Sequence, residues 1–332
     1  MTTSQGPNGF PFNRSIAPDS EQVAVTLWQL TFVRIAAAKA KLDGIYVQVV
    51  EDRSSLRLDD RYLGTWRTGS LHVAAMQAAV DALMTVQAVL EPVIAGTGKL
   101  PMSGLYPVLR AATESAALAI YLLDPNDRDE RLRRSYLTAV EDAKYQDTFA
   151  ASMGNPNSSL HERAKSEIKE LIATRPSLGE PLAFRFARLK YSDLVENADA
   201  IMASDPSTPT VSRMTLIAWW QLLSGLSHGK QWAFIVSMER SEAIVDEADE
   251  SAHVRQSSSA AAIAIVLRLG VETLEAALRL YGHRSKSAWA QPEDASEPPF
   301  MSYTELHGRA KSDREERLCS PERHSADSPH RW

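Results

Sequence analysis

At 332 residues, 44% of them apolar and 23% charged, the chain has the balance of a globular protein long enough for one large or two ordinary domains. A net charge of -6 lacks the broad basic excess that binding to a phosphate backbone draws on, so nucleic acid is not favoured as a partner. A single cysteine, Cys319, excludes an intramolecular disulfide and a multi-cysteine zinc site, and a reducing, cytoplasmic setting is expected.

The first 18 residues read as a flexible N-terminus, because Met1 to Asn13 is polar and carries neither the basic start nor the apolar run of a signal peptide. Asp19-Ser20-Glu21-Gln22 offers cap residues, and Val23, Leu27, Leu30, Phe32 and Ile35 recur near helical spacing through Lys41. Ile45 to Val50 is open between a short strand and a continued helix. Gly64 to Gly69 breaks the chain. Leu71, Ala74, Ala78, Leu83, Val86 and Leu90 then mark a helix from Ser70 to about Glu91, with Pro92 at its end.

A third helix is predicted from Leu105 to Leu123, after the loop Ala95 to Pro101. Asp124 is placed to cap a charged helix from Pro125 to about Phe149, since proline inside a helix start forfeits no hydrogen bond. Gly154 to Ser159 is a break, and helices are predicted at 159–174 and 181–203. After the break Ser204 to Pro209, a tryptophan-rich stretch runs from about Val211. An acidic connector then spans Glu239 to Glu250, and an alanine-rich helix covers Ser251 to Tyr281 with Gly282 as its cap. The fold class is therefore all-α, a bundle of about eight or nine helices over residues 19–284, followed by a disordered tail at 285–332 that is poor in apolar residues. Apolar runs such as Ala260 to Leu267 fall short of the ~20 residues that span a bilayer, so no membrane association is expected.

Few motifs carry chemistry. Gly96-Thr-Gly-Lys99 shares the end of a phosphate-binding loop, but Leu100 stands where a hydroxyl would hold magnesium and Val93 where the first glycine belongs, so an interhelical turn is expected. With no dinucleotide fingerprint, nucleophile elbow or His-Glu-x-x-His helix, no cofactor and no metal are expected. The acidic residues Glu239, Glu242, Asp246, Glu247, Asp249 and Glu250 lack the periodicity of a calcium loop and read as a solvated connector. Arg128, Arg131, Arg133 and Arg134, set among Asp127, Asp129 and Glu130, read as a surface charge lattice.

Two segments stand out. Arg110 and Glu114 share one face of an otherwise apolar helix, in the order that stabilises an isolated helix less, so a partner from another helix is expected. Ser224, Ser227 and His228 lie among tryptophans beside Gly225 and Gly229, and polar groups in so apolar a run need partners. The expectation is a small polar cleft formed by Arg110, Glu114, Ser224, Ser227 and His228. Its imidazole is either a general base beside Glu114 or a satisfied core group.

The segments Tyr106 to Ser115 and Leu222 to Trp232, with the Leu123-Asp-Pro125 stop between them, resemble uncharacterised all-helical proteins of actinobacteria over residues 65–285. These are loosely similar to helical HEPN-type proteins, many of which are ribonucleases of toxin and defence systems. HEPN nucleases carry an arginine followed by a histidine after four to six residues. Arg67 to His72, Arg317 to His324 and Arg323 to His330 fit that spacing, and His228 has no arginine at it. The leading expectation is thus a binding or interaction protein, with a metal-independent HEPN-type ribonuclease as the alternative. RNA is a partner only under the alternative, and a homo-oligomer is compatible with both.

Overall fold

The computed structural model describes residues 21–47, 50–63, 68–155, 159–174, 190–205, 215–246 and 251–287. Among them the chain forms ten helices: α1 (Glu21–Val47), α2 (Ser55–Leu63), α3 (Thr68–Ile94), α4 (Leu105–Leu123), α5 (Arg128–Ser152), α6 (Leu160–Thr174), α7 (Tyr191–Ser204), α8 (Leu216–Ser227), α9 (Gln231–Ser237) and α10 (Ala260–Ser285). The fold is an all-α bundle, as its composition of alanine, leucine and periodic apolar stripes requires. A single two-stranded hairpin, β1 (Met238–Asp246) with β2 (Ser251–Ser258), interrupts it.

Helix α10 is the axis of the bundle. Almost every side chain from Ala261 to Leu278 is buried, which an apolar helix reaches only when neighbours cover it on all sides. Those neighbours are principally α4, α1 and α3. From α3 come Met76, Ala79, Val80, Leu83, Val86 and Leu90, each fully buried, and from α4 Leu109, Ala112, Ala116 and Ile120. Gly270 lets the axis approach α3 closely, since a Cβ there would stand 3.2 Å from Leu83 Cδ2. A smaller cluster of Leu63, Leu132, Tyr136, Val140, Ala143, Ala164 and Ile168 fastens α5 and α6 to the end of α2.

Several predicted boundaries move, each for a local or tertiary reason. Helix α1 continues through Val47, which resolves the helix-or-strand alternative as helix for Ile45 to Val47; residues 48–49 lie outside the described residues and Val50 is in neither element. Pro92 does not end α3, which runs on to Ile94 and is closed instead by Gly96 at φ 71° while Thr97 and Gly98 donate to the Pro92 carbonyl. The Gly96-Thr-Gly-Lys99 segment is therefore a helix-terminal turn. Helix α5 is capped by Asp127, not Asp124: its side chain accepts from Glu130 N at 3.0 Å. The alanine-rich helix starts at Ala260 behind the Ser259 cap and passes through Gly282 to Ser285. The short helix α2, which sequence periodicity did not show, follows buried Ser54, whose hydroxyl caps it by accepting from Arg57 N at 3.2 Å.

The acidic connector is the largest difference. Residues 238–246 pair antiparallel with 251–258, from Met238 opposite Ser258 to Asp246 opposite Ser251, with a register shift between Arg240 and Ala243, while residues 247–250 of the predicted connector lie outside the described residues. One extra residue in β1 breaks the period-2 alternation by which a strand is read from sequence. Two helices, Glu21–Ile45 and Leu71–Ile94, also prove long and apolar enough to cross a membrane by length and composition, contrary to expectation. The second of these places its apolar stripe in the bundle core. The expected flexible N-terminus, the 285–332 tail from residue 288 onward, and residues 181–189 of the predicted 181–203 helix lie outside the described residues.

Candidate functional site

Helix α4 turns Leu105, Tyr106, Leu109, Ala112, Thr113 and Ala116 into the core, which leaves Arg110 and Glu114 on its less buried side with side chains 20% and 13% exposed. Helix α8 crosses nearby. Thr215 caps its start, and Asp199 of α7 accepts from Leu216 N at 2.9 Å. Trp219, Leu222, Leu223 and Leu226 point inward, so Trp220 and Ser224, one helical turn apart, line the opposite flank, and His228 stands exposed at the C-terminal cap. Gly229, at φ 65°, then reverses the chain into α9, where Trp232 and Ala233 lie against Gly225 so closely that a Cβ there would come within 2.8 and 2.7 Å of them.

The two segments meet through side chains. Arg110 Nε donates to Glu114 Oε1 at 2.7 Å, Trp220 Nε1 donates to the same oxygen at 2.8 Å, and Arg110 Nη1 lies 3.0 Å from His228 Nε2. The Arg110 guanidinium also lies 5.8 Å from the Trp220 ring centroid. Because a guanidinium carries only donors, His228 Nε2 must be the acceptor, which leaves the imidazole neutral with its proton on Nδ1. Tyr191, at the start of α7, is half exposed; partial burial, Glu114, Glu141 and Tyr145 raise its phenol above the ordinary value, while Arg110 opposes them.

Of the five expected residues, Arg110, Glu114 and His228 are brought together and the two serines are not. Ser227 Oγ donates to the Leu223 carbonyl of its own helix at 2.7 Å, and Ser224 supplies its backbone carbonyl to His228 N at 3.1 Å. His228 is not a satisfied core residue, since it lies at the surface. Trp220 was missed by sequence reading. The signal was its spacing, because positions 220, 224 and 228 repeat every four residues along one flank of α8.

Other groups singled out by sequence serve packing. Arg131 is buried and grips Asp59 with Nε and Nη2, at 2.7 and 3.1 Å, while Arg128 stands 3.4 Å from the same carboxylate; the predicted surface lattice holds only for Arg133 and Arg134, which both donate to Glu130. Arg131 and Arg284 together take the carbonyls of Leu123, Asp124, Pro125 and Asn126, which ties the α4–α5 connection down and keeps Pro125 out of the following helix. Burial pushes the Asp59 carboxyl above its ordinary value, against the pull of Arg131, Arg128 and Arg284. His72, half of the Arg67 to His72 spacing, is 1% exposed with its ring 5.4 Å from that of Tyr281, and Arg67 lies outside the described residues. The other two Arg-to-His pairs lie there as well.

A second polar network crosses the core unannounced by any motif. Arg34 of α1 donates from Nε to Glu275 at 2.9 Å and lies 3.4 Å from Glu272, which also accepts from Arg268 at 2.7 Å. Among the described residues no three His, Cys, Asp or Glu side chains converge as a metal site.

The fold and site define a helical-bundle protein with a solvent-facing Arg-Glu-Trp-His cluster between two helices. Compared with known proteins, the chain matches no family model, no curated protein and no solved structure.

Proposed function

We propose that the chain is a binding or interaction protein whose recognition surface is the Arg110–Glu114–Trp220–His228 cluster. The hydrogen bond from Arg110 to His228 Nε2 carries this reading. A general base needs a free lone pair, and the one lone pair of this imidazole already accepts from a guanidinium. What the cluster offers a ligand is recognition: further guanidinium donors, the Nδ1–H of His228, and the second oxygen of Glu114, braced by the Trp220 indole. The single Cys319 supports a cytoplasmic setting for this role.

The test is a thermal-shift screen of the full chain with carboxylates, nucleosides and short peptides. A compound that raises the melting temperature of the wild type and not of Arg110→Met supports the proposal. Stabilising compounds that act equally on both proteins count against it.

The second reading is a metal-independent ribonuclease of HEPN type, from a toxin or defence system. The observation favouring it is the contact of an arginine with a histidine at the surface, the two residue types on which that chemistry rests, although here 118 positions separate them. Total RNA incubated with the protein in a chelator decides it. Cleavage that disappears in His228→Ala establishes the nuclease, and intact RNA removes it.

A further inference from the structure

The Arg110–His228 contact exists in one protonation state alone. Arg110 has no acceptor to offer, so the 3.0 Å contact needs the Nε2 lone pair of a neutral ring. A proton on Nε2 turns that acceptor into a donor facing a donor and sets two cations side by side, so the contact cannot survive it. His228 is exposed and sits at the cap of α8, beside the Gly229 turn at φ 65°, where its ring has room to leave. Arg110 cannot follow, since Glu114 holds its Nε at 2.7 Å and Trp220 holds Glu114.

We propose that His228 is an acid-released latch over Arg110. In the neutral state it fixes the α8–α9 turn onto α4 and occupies one guanidinium nitrogen; in the protonated state it swings out and bares Arg110. The charged and titratable groups on the elements around it are Arg110 and Glu114 on α4, Lys230 in the turn, Tyr191 on α7, and Glu141 and Tyr145 on α5, which act on Tyr191; Asp199 of α7 lies at the far end of α8. Glu114 Oε1 already accepts from both Arg110 and Trp220, and a protonated ring that turned to its second oxygen would still leave Arg110 Nη1 bare. The latch rests on the binding reading above, since it regulates access to the same arginine.

Long-range nitrogen NMR on full-length protein labelled with 15N-histidine and 15N-arginine reads both halves of the proposal, with the signal of His228 assigned by its loss in His228→Gln. At about pH 8 the ring is expected as the Nδ1–H tautomer, and on acidification to about pH 5, across the range in which imidazoles titrate, the Arg110 Nε resonance shifts with the His228 midpoint. In His228→Gln, which keeps an acceptor and cannot titrate, that arginine response is lost. In Arg110→Met, which removes the donor, the Nδ1–H preference is lost while the remaining spectrum stays dispersed. An Nε2–H tautomer at neutral pH, or an Arg110 signal indifferent to His228 titration, overturns the latch. Either result leaves the binding screen untouched, whereas the expected tautomer in a protein that binds nothing would overturn the function and keep the latch.

Discussion

His228 shows how far burial governs what a residue does. In the core, its removal would leave an unpaired polar group and cost about 1–3 kcal/mol. At the exposed cap of α8, where water replaces it beside Arg110, His228→Ala is expected to change the unfolding free energy by no more than about 0.5 kcal/mol in a denaturant titration. Glu114→Gln should cost more. The amide oxygen still accepts from Trp220, but the mostly buried Arg110 loses its counter-charge, and a loss of about 1–2 kcal/mol is expected by the same titration. A larger effect at His228 than at Glu114 would contradict the arrangement described.

Between elements, two contacts fix positions that no single helix specifies. Helix α9 lies on α8 only because position 225 has no side chain. Gly225→Ala gains helix propensity and yet should destabilise by about 1–3 kcal/mol, since its Cβ would meet Ala233 and Trp232 inside contact distance. Equilibrium unfolding followed by tryptophan fluorescence checks this. The Asp59–Arg131 pair joins α2 to α5 across 72 residues, with side chains 5% and 6% exposed. Asp59→Ala leaves a buried guanidinium without its carboxylate, and a loss of about 3–5 kcal/mol is expected. The double variant Asp59→Leu with Arg131→Met should recover much of it, because the buried charge is gone. A double variant as unstable as Asp59→Ala would show that the arginine's grip on the 123–126 carbonyls matters more than the pair.

Across the whole molecule, buried phenols set an alkaline limit. Burial and the nearby Glu167 push Tyr136 up to about 12, and burial raises Tyr121 and Tyr281 as well. A phenol whose pKa is higher folded than unfolded keeps its proton longer in the native state. Its contribution is complete below the unfolded value and is lost as pH climbs towards the folded one. Stability should therefore fall above about pH 10, and Tyr136→Phe should flatten that fall when unfolding is measured as a function of pH. Glu130 acts at the other end. Burial works to raise it, but hydrogen bonds from Arg133 and Arg134 outweigh burial and hold it below its ordinary value, so its contribution is present above the carboxylate range and lost as pH drops through it.

The sequence by itself determined what local chemistry decides. Helix α4 begins and ends where its punctuation puts it, Leu105 to Leu123, because Pro125 has no N–H with which to continue the helix. The all-α class and the presence of a polar partner for Arg110 and Glu114 were legible for the same reason: period 3.6 and an uncompensated charge are properties of short stretches. The tertiary structure decided the rest. Asp59 beside Arg131, Arg34 beside Glu275, and Trp220 rather than Ser224 as the group that meets Glu114 all depend on which helices lie together, and side chains 72 to 241 positions apart carry no common period. The pairing of 238–246 with 251–258 was hidden by its own register shift. Whether His228 was core or surface depended on where α8 ends over α4, because an imidazole takes its role from the atom opposite it, and here that atom belongs to Arg110.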